Sequence, residues 1–114
     1  MPAYVIADVS VSDPEQYQSY AALSPGAVAA AGGRFLVRGG RSEPLEGGWT
    51  PSRMVVIEFP DYDAARGFYD SPLYREARAQ RTGATERFDM IVVDGVAQDA
   101  GAAPRAEATS GARA

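Results

Sequence analysis

Hydrophobic and polar positions alternate along residues 3–11, Ala-Tyr-Val-Ile-Ala-Asp-Val-Ser-Val, the period of a strand. Ala3, Val5, Ala7, Val9 and Val11 form a wholly apolar face, and Tyr4, Ile6, Asp8 and Ser10 form the other. The pattern then lengthens to helical spacing. Asp13 can cap a helix, Pro14 suits its first position, and Gln16 completes a capping box. Tyr17, Tyr20, Ala21, Ser24, Val28 and Ala31 make one stripe, which Ser24-Pro25-Gly26 interrupts, so a kink or short break is expected there. Gly32-Gly33 ends the helix and leads into Arg-Phe-Leu-Val-Arg, a strand closed by Gly39-Gly40. Regular alternation puts Phe35 and Val37 on one face, and Arg34, Leu36 and Arg38 on the other.

A polar loop with two prolines and Trp49 runs from Arg41 to Ser52. Arg53 to Phe59 is the next strand, with Val55, Ile57 and Phe59 opposite Met54, Val56 and Glu58. Asp61 caps a helix through Tyr62, Ala65, Phe68 and Tyr69; Ser71-Pro72 restarts it through Leu73, Tyr74, Ala77 and Arg81. Thr82-Gly83-Ala84 releases the chain into a last strand, Phe88 to Val93. From Gln98 onward nothing can build a core, so residues 1–97 are expected to be the domain and 98–114 a disordered tail.

The order β-α-β-β-α-β predicts an α+β fold, the ferredoxin-like sandwich, with a four-stranded antiparallel sheet and two helices on one face. Two right-handed crossovers are expected to set the first and third strands side by side and parallel. Tyr4, Ile6, Leu36, Met54, Val56, Met90 and Val92 would then share the uncovered face. That face is too apolar for water, which predicts a homodimer packed sheet against sheet.

Composition removes several functions. The 114 residues suit one domain, and 46% hydrophobic with 23% charged is an ordinary soluble balance. A net charge of −4 argues against nucleic acid as a partner. No apolar run approaches the ~20 residues that span a bilayer, so no membrane role is expected. No secretory leader pattern opens the chain, and a cytoplasmic location follows. Without cysteine there are no disulfides or thiolate metal sites. Without histidine the usual proton shuttle and the commonest metal and haem ligand are missing. No metal and no cofactor are expected.

Several motifs occur together in order: Asp-Pro-Glu after the first strand, Gly-Gly-Arg-Phe-Leu-Val-Arg-Gly-Gly, Leu45-Glu46-Gly47, Val56-Ile57-Glu58-Phe59-Pro60, Asp70-Ser71-Pro72-Leu73-Tyr74 and Val93-Asp94-Gly95-Val96. Over about residues 2–97 the chain resembles the bacterial domain-of-unknown-function 1330 (DUF1330) family. Gly48 and Gly67 stand where that family more often has a larger residue. The resemblance implies the dimeric α/β-barrel superfamily, in which two ferredoxin-like subunits join their sheets. It brings no activity. Superfamily relatives include cofactor-free monooxygenases, polyketide cyclases, lactone isomerases and haem enzymes, and the missing histidine counts against the haem members.

Three constellations are candidates for chemistry. Asp8 and Glu58, read as near the ends of adjacent parallel strands, sit beside Arg34; either one carboxylate has a raised pKa and acts as a base, or the three form an ion-pair network. Tyr4, Tyr17, Tyr20, Tyr69 and Tyr74 could orient an aromatic ligand, Tyr74 taking part in acid/base work, or could fill the core edge. Trp49 is a lid or, on our reading, an anchor on the second subunit; Arg38 and Arg41 could bind an anion or begin a solvated loop. Two functions stay open. One is a cofactor-free cyclase, isomerase or monooxygenase-like dimer acting on a small apolar or aromatic metabolite. The other is a non-catalytic dimer that binds a metabolite or protein.

Overall fold

The structure, a computed structural model, describes residues 1–97; the tail expected over 98–114 lies outside the described residues. The elements are β1 (Ala3–Val11), α1 (Pro14–Ala30), β2 (Arg34–Arg38), β3 (Arg53–Phe59), α2 (Tyr62–Asp70), α3 (Pro72–Gln80) and β4 (Thr85–Asp94). The caps act where the sequence placed them. Asp13 accepts from the Gln16 amide at 3.1 Å and Asp61 from the Ala64 amide at 2.8 Å. Ser71 closes α2 by donating to the Phe68 carbonyl at 2.8 Å and opens α3 by accepting from the Tyr74 amide at 3.2 Å. The Gln16 side chain does not complete a capping box. It donates instead to the carbonyls of Gln80 and Thr82, joining the start of α1 to the end of α3.

The sheet order is β2-β3-β1-β4 and every pairing is antiparallel. This gives the expected four-stranded antiparallel α+β sandwich but corrects one pairing: β1 and β3 are neighbours, and they run antiparallel. The reason is topological. The α1 crossover makes β2 parallel to β1 one place further out, so β3, hairpinned to β2, fills the gap running the other way.

Two phases also differ from simple alternation. β2 carries a bulge, since Arg34 pairs with Glu58 and Phe35 with Ile57, but Val37 pairs with Val56 and Arg38 with Val55. The extra residue, Leu36, turns Val37 outward beside Arg34 and sends Arg38 to the helix side, where its guanidinium lies 4.5 Å from the Phe35 ring. β4 begins earlier than expected, and its pairing with β1 directs Phe88, Met90 and Val92 inward. Ile91 and Val93, not Met90 and Val92, therefore belong to the open face with Tyr4, Ile6, Met54 and Val56. That face stays apolar, with Ile91 60% exposed.

The core lies between the sheet and the helices, around Val5, Val9, Val28, Ile57, Phe59, Phe68 and Tyr74. Gly33 lets α1 reach the sheet closely: a Cβ there would stand 2.6 Å from the Phe59 ring. Of the kink or short break expected at Pro25, no break occurs: α1 runs through it. Proline cannot donate to the Ala21 carbonyl four residues back. Arg38 takes that place, its Nη2 donating to the Ala21 oxygen at 3.0 Å. Loss of this bond in Arg38→Met should cost about 1 kcal/mol. In a Pro25→Ala background the new amide bonds Ala21 and most of the penalty should vanish. Urea unfolding of the four proteins checks this; equal penalties in both backgrounds would show that the two sites are uncoupled.

Candidate functional site

The helix side of the sheet holds an aromatic cluster edged with arginine. Tyr20 and Tyr74 share a hydroxyl–hydroxyl hydrogen bond of 2.6 Å inside the core. Tyr17 lies 5.3 Å from Tyr20 between centroids, Phe68 lies 4.3 Å from Tyr74, and Tyr69 lies 5.8 Å from Tyr74. Burial, and then the neighbouring Tyr74, push the Tyr20 phenol far above the ordinary tyrosine range, so it stays protonated and serves as a hydrogen-bonding group.

Arg78 stacks 4.2 Å from the Tyr69 centroid and donates to its hydroxyl at 2.9 Å. Arg81 lies 3.6 Å over Phe88 and 5.2 Å from Tyr20. Arg53, the first residue of β3, reaches inward to 6.0 Å from Tyr17, and Gly39 leaves it the space. None of Arg38, Arg53, Arg78 and Arg81 makes an ion pair with a carboxylate among the described residues. Among the described residues, the Nε groups of Arg53, Arg78 and Arg81 are buried without a hydrogen-bond partner.

Two spaces reach the polar groups of this cluster, besides an open groove of about 400 Å³ between the helices, lined by Ala27, Gly67, Phe68 and Leu73 among others and without an ionisable side chain. The inner one, between α1 and the sheet, is lined by Tyr17, Tyr20, Ser24, Arg38, Arg53 and Tyr74 among others, and has about 20 Å³ free. That admits a water molecule and no metabolite. The outer one is a cleft of about 310 Å³ between α2, the end of α3 and the inner face of β4. Its walls are Val5, Ala65, Phe88, Met90, Ile91 and Val92, with Arg66, Tyr69 and Arg81 as the polar groups. Phe88 and Met90 line both spaces.

The open face of the sheet carries the other expected residues, divided between its ends. Tyr4 pairs with Glu58 and Asp8 with Met54, so the two carboxylates stand four residues apart on antiparallel strands, roughly 13 Å. The adjacent pair expected at the ends of parallel strands is not formed. At one end Arg34 Nε donates to Glu58 at 2.7 Å, and the Tyr4 hydroxyl reaches Glu58 at 3.5 Å. Arg34 is 73% exposed, which makes this a surface ion pair worth about 0–1 kcal/mol.

At the other end Asp8 is 5% exposed, because the 39–52 loop folds over it. It accepts from Trp49 Nε1 at 2.9 Å, from the Ser52 amide at 3.0 Å and from Arg87 Nη1 at 2.9 Å. Burial raises the Asp8 pKa, but the bonds from Arg87, Trp49 and Ser52 outweigh it and lower the value to about 2. The carboxylate is thus ionised and committed to holding the loop. Trp49, held by its indole nitrogen, keeps a ring that is 60% exposed at the edge of the apolar face.

Of the residues expected from sequence, Tyr17, Tyr20, Tyr74 and Arg38 gather around the inner pocket and Tyr69 lines the cleft. Tyr4, Arg34 and Glu58 lie together on the open face, apart from Asp8 and Trp49. Arg53, Arg66, Arg81 and Arg87 were missed. Two had a signal. Arg53 continues the inward stripe of Val55, Ile57 and Phe59, and Arg81 continues the buried stripe of Tyr74 and Ala77. Among the described residues no group of three acids could hold a metal ion, and no helix is long and apolar enough to cross a membrane.

A family model described as domain of unknown function (DUF1330) matches residues 2–96. Comparison with curated proteins finds no match. Among solved structures, the RPA0582 protein of unknown function from Rhodopseudomonas palustris is 22% identical, with 84% of this chain and 83% of that one covered and a TM-score of 0.65. A dimeric ferredoxin-like protein of unknown function from Jannaschia sp. CCS1 is 13% identical, covers 85% and 100%, and has a TM-score of 0.63. SnoaB, a cofactor-independent oxygenase from Streptomyces nogalater, is 14% identical, covers 85% and 95%, and has a TM-score of 0.59. At these identities the likeness is one of fold.

Proposed function

The chain belongs to the DUF1330 family, and on that basis we propose that it is a homodimer that binds a small, largely apolar metabolite in the cleft between α2 and β4. The cleft carries this reading. Its volume of about 310 Å³ falls at the lower end of the range for small-molecule sites, and it joins apolar side chains of β1 and β4 to the partly exposed polar groups of Arg66, Tyr69 and Arg81. Dimerisation is supported by the apolar open face and by structural neighbours described as dimeric.

Binding is favoured over acid/base catalysis because the expected base is otherwise occupied. Asp8 faces the far side of the sheet from the cleft and spends its lone pairs on Trp49, Ser52 and Arg87. A second reading, cofactor-free chemistry, rests on the Tyr20–Tyr74 hydroxyl pair behind Phe88 and Met90. In that reading the phenols donate hydrogen bonds to a substrate oxygen and remove no proton.

Native mass spectrometry of the gently purified protein tests the binding function. One small molecule per subunit is expected, lost in Met90→Trp, which fills the cleft. Bare wild-type protein, with no melting shift from any of a panel of small aromatic compounds, would overturn it.

A further inference from the structure

We infer that the cleft between α2 and β4 is a site for a small aromatic monocarboxylate, whose carboxylate is received by Arg81. This rests on the reading of the cleft as a binding site and gives it a ligand class. In a chain with 15 acidic and 11 basic residues, the cleft lining holds two arginines and no acid. The two arginines are not equivalent. Arg66, at the rim, is paired with Asp70 at 3.2 Å. Arg81 has neither an ion-pair partner nor a side-chain hydrogen bond among the described residues, and its Nε is orphaned.

The Arg81 guanidinium is also held in place. Its Cζ lies over the Phe88 ring, 3.6 Å from the centroid, with the Tyr20 centroid at 5.2 Å. The ring contacts cover part of the group, and its terminal N–H groups, which make no side-chain hydrogen bond among the described residues, remain for a planar acceptor, which a carboxylate matches in geometry and charge. A cation half removed from water with no counter-charge is held at a cost, and a bound anion removes that cost. Arg66 sits at the exposed rim with Asp70 beside it, so Arg81 is the cation of the lining that calls for a counter-charge, and one negative charge answers it. Phe88, Met90, Val92 and Val5 then face the rest of the ligand, with the Tyr69 hydroxyl and Arg66 as the further polar groups of the lining. An aromatic ring with one carboxylate fits both halves of the site.

The test compares acid and alcohol on one skeleton. Benzoate and phenylacetate, and benzyl alcohol and 2-phenylethanol, are titrated calorimetrically into wild type, Arg81→Gln and Met90→Trp. The expected result is at least tenfold tighter binding of each acid than of its alcohol. Arg81→Gln should lose that preference while still binding the alcohols, and Met90→Trp should bind neither. Equal affinity for acid and alcohol in wild type overturns the carboxylate inference and leaves the cleft as an apolar site. Absence of all four from wild type overturns this inference, whereas the wider binding function falls only if the purified protein also carries no small molecule. If Arg81→Gln does not fold, Arg81→Lys decides: it keeps the charge and loses the planar edge, so the acids should weaken at least tenfold. Unchanged acid affinity in that variant refutes the assignment.

Discussion

Asp8→Asn is expected to melt at least ~4 °C below the wild-type protein at neutral pH: Asp8 is buried but Arg87 is 38% exposed, so the screened ion pair and the two hydrogen bonds beside it together hold about 1–2 kcal/mol. Three donors converge on this carboxylate, from Trp49, the Ser52 backbone and Arg87. An amide keeps one oxygen for them and turns an NH₂ group toward the rest, so a donor meets a donor and Arg87 loses its charge partner on this strand. The sign of the pH effect follows from the lowered pKa of about 2, against an ordinary 3.8. The unfolded chain takes up the proton first as pH falls. Wild type therefore has the full contribution of Asp8 near neutrality and loses it progressively from about pH 5 toward pH 2. The asparagine variant has none to lose, so the gap between the two proteins should narrow over that window. Melting curves from pH 7 to pH 2.5 measure it, and the anisotropy of Trp49, the single tryptophan, should fall in the variant as the loop loosens. A gap that stays constant with pH would show that the carboxylate charge does not hold the loop.

Val56→Asp should separate the proposed dimer while leaving each subunit folded. Val56 is on the open face in the centre of the sheet, paired with Ile6 on one side and Val37 on the other. In a free subunit the aspartate would face water, so the fold itself is little disturbed. Against a second sheet it would be an unpaired charge in an apolar contact, a penalty of several kcal/mol. The dimer dissociation constant should weaken by at least ~100-fold, which is about 2.7 kcal/mol. Sedimentation at micromolar concentration should give twice the chain mass for wild type and the single chain mass for the variant. A variant that remains dimeric would place the interface elsewhere. A wild type that sediments as a monomer would remove the dimer altogether.

The two sites were unevenly visible in the sequence. The tyrosines on the α1 and α3 stripes could be placed together, because helical spacing fixes which residues share a face. Arg38 could not be placed, since a one-residue bulge at Leu36 reverses every side chain beyond it and no local signal marks the bulge. Arg87 escaped for a similar reason. Its partnership with Asp8 depends on the β1–β4 register, which is set by packing over the whole strand. The cleft is wholly a tertiary feature, formed where α2 and α3 leave the inner face of the edge strand partly uncovered.

What the sequence determined by itself was local and periodic. The caps at Asp13, Asp61 and Ser71, the glycine exit from α1, the strand segments and their order all follow from interactions within a few residues. Order then limited topology, because short connections and right-handed crossovers leave few sheets to choose from. Only the tertiary structure decided the long-range matters. It placed Asp8 and Glu58 at opposite ends of a strand pair, sent Arg38 to the carbonyl left open by Pro25, and closed the Trp49 loop over Asp8. It also left Arg81 over Phe88 beside a cleft, with no counter-charge among the described residues. Each of these depends on which residues distant in the chain meet, and a one-residue shift of register changes the answer while the local pattern stays the same.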